Sequence, residues 1–236
     1  MKKFATFGII AVLLLAAVAS TVFVPTRASA QGAGLVSSII NKMERNRRDL
    51  KSLRASISMT KYNAQIRDED QYKGEMRYLP GSGRSNTSVR VDWRWPQQET
   101  LAVADGKYTL VRPRLKMAYV GDANSSRNKV SGVLGFGLNV TRQQLSAAYE
   151  QPQLLGEETL WGGISTYHLK LVPKNRAGFK YAEIWVDMQG MPVQTKVVDK
   201  NDDSTTIRLT DVQRNPSLSA DEFKVQLGSD IKIVRG

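Results

Sequence analysis

The sequence predicts a mainly β protein of the α+β class, with a meandering antiparallel sheet and a few helices. Short segments in which apolar and polar side chains alternate recur along the chain, as is typical of half-buried strands. Gly, Pro, Asn and Asp cluster between these segments and indicate turns. One segment near the amino end has helical periodicity instead. These observations predict about eleven strands and two or three helices in a single domain.

The amino-terminal segment has the three parts of a secretory signal peptide. Lys2 and Lys3 form a positive start, an apolar run follows, and Ala28-Ser29-Ala30 is a small-residue cleavage site. We predict that residues 1–30 are removed and that residues 31–236 form one soluble domain exported to the periplasm. If the segment stays uncleaved, its apolar run of about 18 residues becomes a membrane anchor. The sequence leaves this alternative open.

The composition narrows the chemistry and the partners of the exported domain. The chain has no cysteine, so it has neither disulfides nor a thioether-linked lipid of its own. Cleavage would remove Lys2, Lys3 and Arg27 and leave 31 basic against 22 acidic residues, a net charge of +9. Outside the cytoplasm, such a surface fits anionic lipid or an acidic protein face better than nucleic acid. We expect a monomer that binds no nucleic acid.

The helical pattern consists of the apolar residues Leu35, Val36, Ile39, Ile40 and Met43, which recur at helical spacing opposite a polar face. It predicts one amphipathic helix that runs to about residue 51 and covers a sheet. From residue 53 the period changes to two, which predicts the first strand over 53–60.

The remaining strands are predicted from the same alternation. Asp105-Gly106 separates two of them and is suited to the positive φ angles of a tight hairpin turn. Pro80-Gly81-Ser82-Gly83 opens a polar loop. The approximate bounds of these strands are 73–78, 90–95, 101–104, 108–111, 117–120, 154–161, 164–172, 179–187, 192–198 and 205–212.

The segment from Ser125 to Tyr149 departs from the alternation. A polar stretch precedes an apolar, glycine-rich run, and Thr141 is suited to cap a short helix over 141–149. A flexible apolar loop followed by a helix would suit a lid over a ligand site. A loop buried on the core explains the pattern equally well, and both interpretations stay open. The candidate lid residues are Val133, Leu134, Phe136 and Leu138.

Recognisable catalytic motifs are missing from the sequence. Its only histidine, His168, shares one face of a predicted strand with Thr166 and Lys170, and we interpret it as solvent-facing. There is no Gly-x-Ser-x-Gly nucleophile motif, no phosphate-binding loop and no Cys/His cluster. We therefore predict that the protein is not an enzyme.

One short segment has part of a calcium-binding pattern. Asp199, Asn201 and Asp203 have the spacing that opens a calcium loop. However, Ser204 stands where the loop needs glycine, and Thr210 stands where it needs a bidentate glutamate. We interpret the segment as a hairpin turn, and we predict no metal site and no cofactor.

Apolar and aromatic side chains on one face of the predicted sheet are the candidate binding residues. For each of them, packing in the core is the alternative interpretation. As a set they suit a lipid-binding cavity, because methionine and broad aromatic rings adapt to flexible apolar ligands. They are Met59, Met76, Tyr78, Val91, Trp93, Trp95, Leu101, Val103, Leu110, Met117 and Tyr119.

The stretch VRVDWRWPQQETLAVADGKYTLVRP, residues 89–113, resembles the signature region of the outer-membrane lipoprotein carrier (LolA) family. Its pattern is a strand, a proline, a strand ending in Asp-Gly-Lys, and a second proline beyond the next strand. The segment INKMERNRRDLKSLRASI, residues 40–57, is similar to the family's first helix and first strand. The later strands and the segment from Asn215 to Leu227, with Phe223, also resemble the family.

The resemblance implies a curved antiparallel sheet that forms an unclosed half β-barrel covered by helices. It further implies a periplasmic carrier whose apolar cavity shields the acyl chains of a lipoprotein cargo. The implied partners are an inner-membrane lipoprotein-releasing transporter, which supplies the cargo, and an outer-membrane acceptor, which receives it. One position departs from the family. Well-known members have an arginine directly before the proline of the second strand, whereas this chain has Leu79 before Pro80.

No lid-gating arginine is assigned, although Arg77, Arg84 and Arg90 lie near the departing position.

Two other functions use the same architecture. One is an envelope-stress sensor or regulator, which typically has a second domain, for which 206 residues leave little room. The other is a carrier of different lipids or hydrophobic small molecules.

Overall fold

The computed structural model describes residues 27–81, 87–123, 138, 140–175 and 178–235, with side chains from residue 32 onward. In this part of the chain a 12-stranded sheet forms an open half-barrel, with two α-helices on one face. Helix α1 spans Arg27–Asp49 and helix α2 spans Arg142–Ala148. Two short 3-10 helices span Pro113–Leu115 and Ala220–Phe223. The mainly β, α+β fold class predicted from the sequence is confirmed.

The strands follow the predicted order but are longer at several ends. Their bounds are β1 Leu53–Asn63, β2 Asp68–Leu79, β3 Ser88–Trp95, β4 Glu99–Ala104, β5 Lys107–Arg112, β6 Met117–Asp122, β7 Gln153–Leu160, β8 Ile164–Leu171, β9 Phe179–Asp187, β10 Pro192–Asp199, β11 Ser204–Arg214 and β12 Lys232–Arg235. Across the sheet their order is β12-β6-β5-β4-β3-β2-β1-β11-β10-β9-β8-β7. Neighbouring strands are antiparallel except β12, which pairs with β6 in parallel and was not predicted.

Irregular registers bend the sheet. The β2–β3 ladder shifts between Lys73 and Gly74, and the β1–β11 ladder shifts between Arg54 and Ser56. Each extra residue bends its strand and strengthens the local twist. The sheet therefore curves without closing, and one of its faces becomes concave.

The register defines an inner face that carries the core. Met59, Ile207, Thr195, Ile184 and Leu169 stand directly opposite one another on five successive strands, so they lie on one face. We call this the inner face, and the opposite face of the sheet the outer face. Ile184 and Leu169 belong to the same apolar cluster as residues of both helices. The helices therefore lie on the inner face.

Helix α1 packs through Val36, Ile39 and Met43, the apolar positions of its predicted stripe, against β8 and β9. It begins earlier than predicted, at Arg27, and includes the predicted cleavage site. Helix α2 begins at the predicted cap, Thr141, whose hydroxyl accepts a hydrogen bond from the Gln144 N–H in a capping box. In the described part of the chain, neither helix is both long and apolar enough to cross a bilayer.

The segment after β11 crosses the outer face of the sheet and leads to β12, which lies at the edge of the sheet beside β6. We call residues 216–231 the strap. Its 3-10 helix contacts β3 and β4, and its Phe223 is 1% exposed. Glu222 pairs with Arg54 of β1 at 3.0 Å and with Arg77 of β2 at 3.4 Å. The strap therefore connects the first strands of the sheet to its β6 edge.

Candidate lipid-binding cavity

A cavity of about 520 Å³ opens on the inner face beside the part of the sheet that the helices cover. This volume lies within the range of small-molecule sites, roughly 300 to 1,000 Å³. The wall combines aliphatic, aromatic and a few charged side chains. The lining residues are Met59, Lys61, Tyr72, Trp93, Pro96, Gln97, Glu99, Leu101, Tyr108, Leu110, Arg112 and Tyr119.

Five of the candidate binding residues line this cavity: Met59, Trp93, Leu101, Leu110 and Tyr119. The register explains why they converge. Leu101, Leu110 and Tyr119 stand directly opposite one another on β4, β5 and β6. The same row continues to Val91 and Met76 on the next two strands, where it enters the closed core.

The other candidate binding residues do not line the cavity. Met76, Tyr78 and Val91 are almost fully buried in the core near the end of α1, and burial raises the pKa of Tyr78 to about 12. Val103 is also buried, and Met117 is half-buried at the edge of the same face. Trp95 is 59% exposed.

The aromatic wall is organised around Tyr72 and Trp93. Their rings meet edge to face, with centroids 5.9 Å apart at an angle of 65°. Burial raises the pKa of the Tyr72 hydroxyl, and the carboxylates of Asp70 and Glu99 raise it further, while Arg112 lowers it. This hydroxyl therefore stays protonated at neutral pH and can donate a hydrogen bond.

Three charged side chains interrupt the apolar wall. Arg112 Nε lies 3.1 Å from Glu99 Oε1, and the Arg112 guanidinium lies 5.9 Å from the centre of the Tyr119 ring. Lys61 Nζ lies 5.3 Å from the centre of the Tyr72 ring. The distances of Arg112 and Lys61 from these two ring centres allow attraction between a cation and an aromatic face. The cavity is therefore amphipathic, with an apolar interior and charged groups at one end.

The sequence pattern missed seven lining residues, three of which are charged and were not considered because only apolar and aromatic positions were counted. Lys61 follows Met59 by two positions, Arg112 follows Leu110 by two, and Glu99 precedes Leu101 by two, so each lies on the inner face. Following the alternation in each strand past its last apolar residue would have identified these three charged residues. The complete set of missed residues is Lys61, Tyr72, Pro96, Gln97, Glu99, Tyr108 and Arg112.

Three of the candidate lid residues, Val133, Leu134 and Phe136, lie outside the described residues. The fourth, Leu138, is 6% exposed and belongs to the core cluster between the sheet and the end of α1.

Two of the arginines near Leu79, the position at which this chain departs from the family, face away from the cavity. Arg77 and Arg90 both donate to the carboxylate of Asp92, and Arg90 also donates to two backbone oxygens of the strap. These contacts hold both arginines on the outer face. Arg84, the third nearby arginine, lies outside the described residues.

The interpretation of His168 as solvent-facing is wrong. Its side chain is 16% exposed and stacks on Trp185, with ring centroids 4.0 Å apart. The carboxylates of Glu158 and Glu183 lie 3.4 and 3.6 Å from its two ring nitrogens. The bulky neighbour on β9 covers the imidazole, which the alternation along β8 alone did not reveal.

The partial calcium pattern forms the predicted hairpin turn between β10 and β11. The Asp199 N–H donates to the Asp203 carbonyl at 2.8 Å, and the Asp202 N–H donates to the Asp199 carbonyl at 3.1 Å. No group of three or more potential metal-binding side chains was found among the residues that the structure describes.

The curved open sheet, the helices on its inner face and the adjoining cavity define the class of unclosed half-barrel proteins. A family model described as "Outer membrane lipoprotein carrier protein LolA" matches residues 87–226, which is more than half of the chain. The chain belongs to this family, as its resemblance to the signature region predicted. No curated protein sequence matched the chain.

Solved structures share the fold at low sequence identity. An uncharacterized conserved protein from Thermus thermophilus is 14% identical, with a TM-score of 0.55, over 86% of this chain and 99% of that chain. MucB is 15% identical, with a TM-score of 0.57, over 86% of this chain, which spans 66% of the MucB chain.

Proposed function

We propose that the protein is a periplasmic carrier that shields the acyl chains of lipoproteins and delivers them from the inner to the outer membrane. The observation that carries the proposal is the amphipathic cavity on the inner face of a LolA family half-barrel. In this proposal an inner-membrane transporter loads the cavity and an outer-membrane acceptor unloads it. The signal peptide is removed, so the carrier diffuses between the membranes.

A lipoprotein needs such a carrier because its acyl chains are hydrophobic. Exposing an acyl chain of about 14 carbons to water costs roughly 11 kcal/mol, at about 0.8 kcal/mol per methylene. A cavity that removes the chain from water offsets this cost. Delivery then requires only that the acceptor bind the cargo more tightly than the carrier does. Because no bond is made or broken, the proposed function is not enzymatic.

The identity of the bound lipid tests the carrier role. The protein, purified from the periplasm without detergent, is analysed by native mass spectrometry, and its ligands are extracted and identified. We expect triacylated lipoproteins to co-purify with it. Free phospholipid or glycolipid alone would instead favour a carrier of other lipids. A protein partner bound without any lipid would favour a regulator.

A matched pair of leucine variants tests the position of the binding site. Leu110 lines the cavity, whereas Leu115 is 54% exposed on the turn after β5. Leu110→Glu places a carboxylate against the acyl chain and is expected to reduce the amount of co-purified lipid at least tenfold. Leu115→Glu is expected to keep the wild-type amount. Equal lipid in the two variants, with circular dichroism spectra that match wild type, would exclude this cavity as the site.

A further inference from the structure

The charged end of the cavity carries two cations that converge on one tyrosine. Lys61 Nζ lies 5.3 Å from the centre of the Tyr72 ring. Arg112 also lines the cavity, and its charge partly offsets the rise in the pKa of the Tyr72 hydroxyl that burial and the carboxylates of Asp70 and Glu99 cause. Lys61 and Arg112 stand on β1 and β5, so the curvature of the sheet brings cations from distant strands to the same place. An amphiphile whose chain enters the cavity would present its head group here.

Among the residues that line the cavity, the two cations outnumber the carboxylates. Glu99 Oε1 lies 3.1 Å from Arg112 Nε, and Glu99 is the one carboxylate paired with Arg112 among the described residues. Lys61 has no carboxylate within ion-pair distance in the described part of the chain. Asp70 stands opposite Lys61 in the β1–β2 ladder but does not line the cavity. The lining therefore has two cations against one carboxylate.

We propose that the cavity selects amphiphiles with an anionic head group, a carboxylate or a phosphate, which Lys61 and Arg112 bind while Tyr72 donates a hydrogen bond. This inference rests on the proposed binding of acyl chains in the same cavity, and it adds the chemistry of the head group. A guanidinium and an ammonium both form strong charge-assisted hydrogen bonds to such oxyanions. Their positions over the Tyr119 and Tyr72 rings hold both cations in place before the ligand arrives.

Four probes with alkyl tails of eleven or twelve carbons and different head groups test this selectivity. They are dodecanoate, dodecyl phosphate, dodecyl maltoside and dodecyltrimethylammonium, each titrated below its micelle concentration in a calorimeter at low salt. Dodecanoate and dodecyl phosphate are expected to bind about tenfold more tightly than the neutral maltoside, and the cationic probe is expected to bind most weakly. Added salt should reduce the preference, because it screens the charges at the cavity entrance. The two anionic probes distinguish a fatty acid from a phosphorylated lipid as the preferred class.

Charge-removing variants identify the residues responsible. Lys61→Gln and Arg112→Gln are each expected to abolish most of the preference for the anionic probes, by weakening their binding several-fold more than the binding of dodecyl maltoside. Both side chains are partly or fully exposed, so the fold should survive, and circular dichroism checks this. Lys73→Gln and Arg114→Gln are the matched controls, because these exposed cations do not line the cavity. Glu99→Gln should strengthen anion binding, because it removes the carboxylate that competes for Arg112.

The outcomes separate this inference from the proposed function. Equal affinity for all four probes would overturn the head-group inference and leave acyl-chain binding intact. A preference for anions that survives in both cavity variants would also overturn it, since other residues would then be responsible. Absence of binding by every probe would overturn acyl-chain binding in this cavity, and the head-group inference with it.

Discussion

Tyr108 lies across Gly121 on the neighbouring strand, and this contact sets the shape of the cavity wall. A Cβ atom built on Gly121 would come within 2.7 Å of Tyr108 Cε1 and 3.1 Å of its Cζ. The atoms in the way belong to a side chain that can swing, not to the backbone. A larger residue at position 121 should therefore change the cavity and preserve the fold.

We expect Gly121→Ala to push the Tyr108 ring toward the cavity and to weaken binding of a twelve-carbon amphiphile about tenfold. Its midpoint of thermal unfolding should stay close to that of wild type. Gly178→Ala is the control, because a Cβ there meets nothing within 4 Å. Calorimetric titration with dodecyl maltoside measures the effect. Unchanged affinity would mean that Tyr108 does not limit the space available to the ligand.

Asn215 joins the end of α1 to the end of β11. Its side-chain oxygen accepts a hydrogen bond from the Lys51 N–H at 2.7 Å, and its amide donates to the Asp49 carbonyl at 3.2 Å. Its φ of 56° lies in the left-handed region, which asparagine tolerates better than most residues. Both the side chain and the backbone conformation therefore favour asparagine at this position.

Two variants separate these contributions in urea unfolding. Asn215→Gly keeps the left-handed conformation and loses the side-chain hydrogen bonds, so we expect it to lower the free energy of unfolding by about 1 to 3 kcal/mol. Asn215→Ala should lose roughly 1 kcal/mol more, because a Cβ is disfavoured at this φ. If alanine is as stable as glycine at position 215, backbone conformation makes no measurable contribution.

At the scale of elements, α1 approaches the β9–β10 turn closely enough that only glycine fits. A Cβ on Gly190 would lie 2.4 Å from the carbonyl carbon and oxygen of Lys42 in α1. The φ of Gly190 is also +91°, in a region that other residues rarely adopt. The docking of the helix on the inner face thus depends on one position in a turn.

Gly190→Ala should therefore displace α1 and lower the free energy of unfolding by about 2 to 4 kcal/mol. Gly162→Ala is a close control, because Gly162 has a φ of +92° but a Cβ added there would have no atom within 4 Å. The difference between the two variants in urea unfolding isolates the steric contact with α1. Equal losses would attribute the whole effect to backbone strain.

Local periodicity predicted most elements, because a half-buried strand or helix shows its buried face in its own sequence. The β4–β5 hairpin confirms this: Asp105 and Gly106 have φ values of 52° and 76°, as their turn chemistry predicted. Strand β12 was missed because it is short and mostly exposed, and only its partner β6 makes it a strand. The early start of α1, at Arg27, was hidden by the resemblance of this region to a cleavage site.

The candidate site was predicted in part, for a related reason. Alternation places residues such as Leu101 and Leu110 on the correct face. It does not indicate where the helices stop covering that face, so Met76 and Val91 in the core looked the same as residues of the cavity. The charged residues Lys61 and Arg112 were missed because charged positions were not considered, although the alternation along β1 and β5 places both on the inner face.

At the scale of the whole molecule, the two faces of the sheet are covered by different ends of the chain. Helix α1, near the amino end, packs on the inner face, and the strap, near the carboxyl end, crosses the outer face. Buried apolar contacts through Phe223 hold the strap, and Glu222 adds ion pairs with Arg54 and Arg77. Ionic contacts of this kind depend on pH, whereas the apolar contacts do not.

The strap should therefore make folding stability sensitive to acid. The Ser219 N–H and the neighbouring arginines Arg54 and Arg77 hold the pKa of Glu222 below its ordinary value of 4.5. A carboxyl with a lowered pKa in the folded state contributes stability above its ordinary pKa and loses it as pH falls through the folded value. We expect stability in urea to be constant near neutral pH and to fall below about pH 4.5.

Glu222→Gln distinguishes this group from the other carboxyls of the protein. Glutamine keeps the size of the side chain and much of its ability to accept hydrogen bonds, but it does not titrate. The variant should be less stable than wild type near neutral pH, and the difference should shrink as pH falls below about 4.5, because protonation removes the same charge from wild type. Glu157→Gln, on the exposed edge strand β7, should follow the wild-type curve. A stability difference that stays constant from neutral to acid pH would show that the charge of Glu222 does not hold the strap.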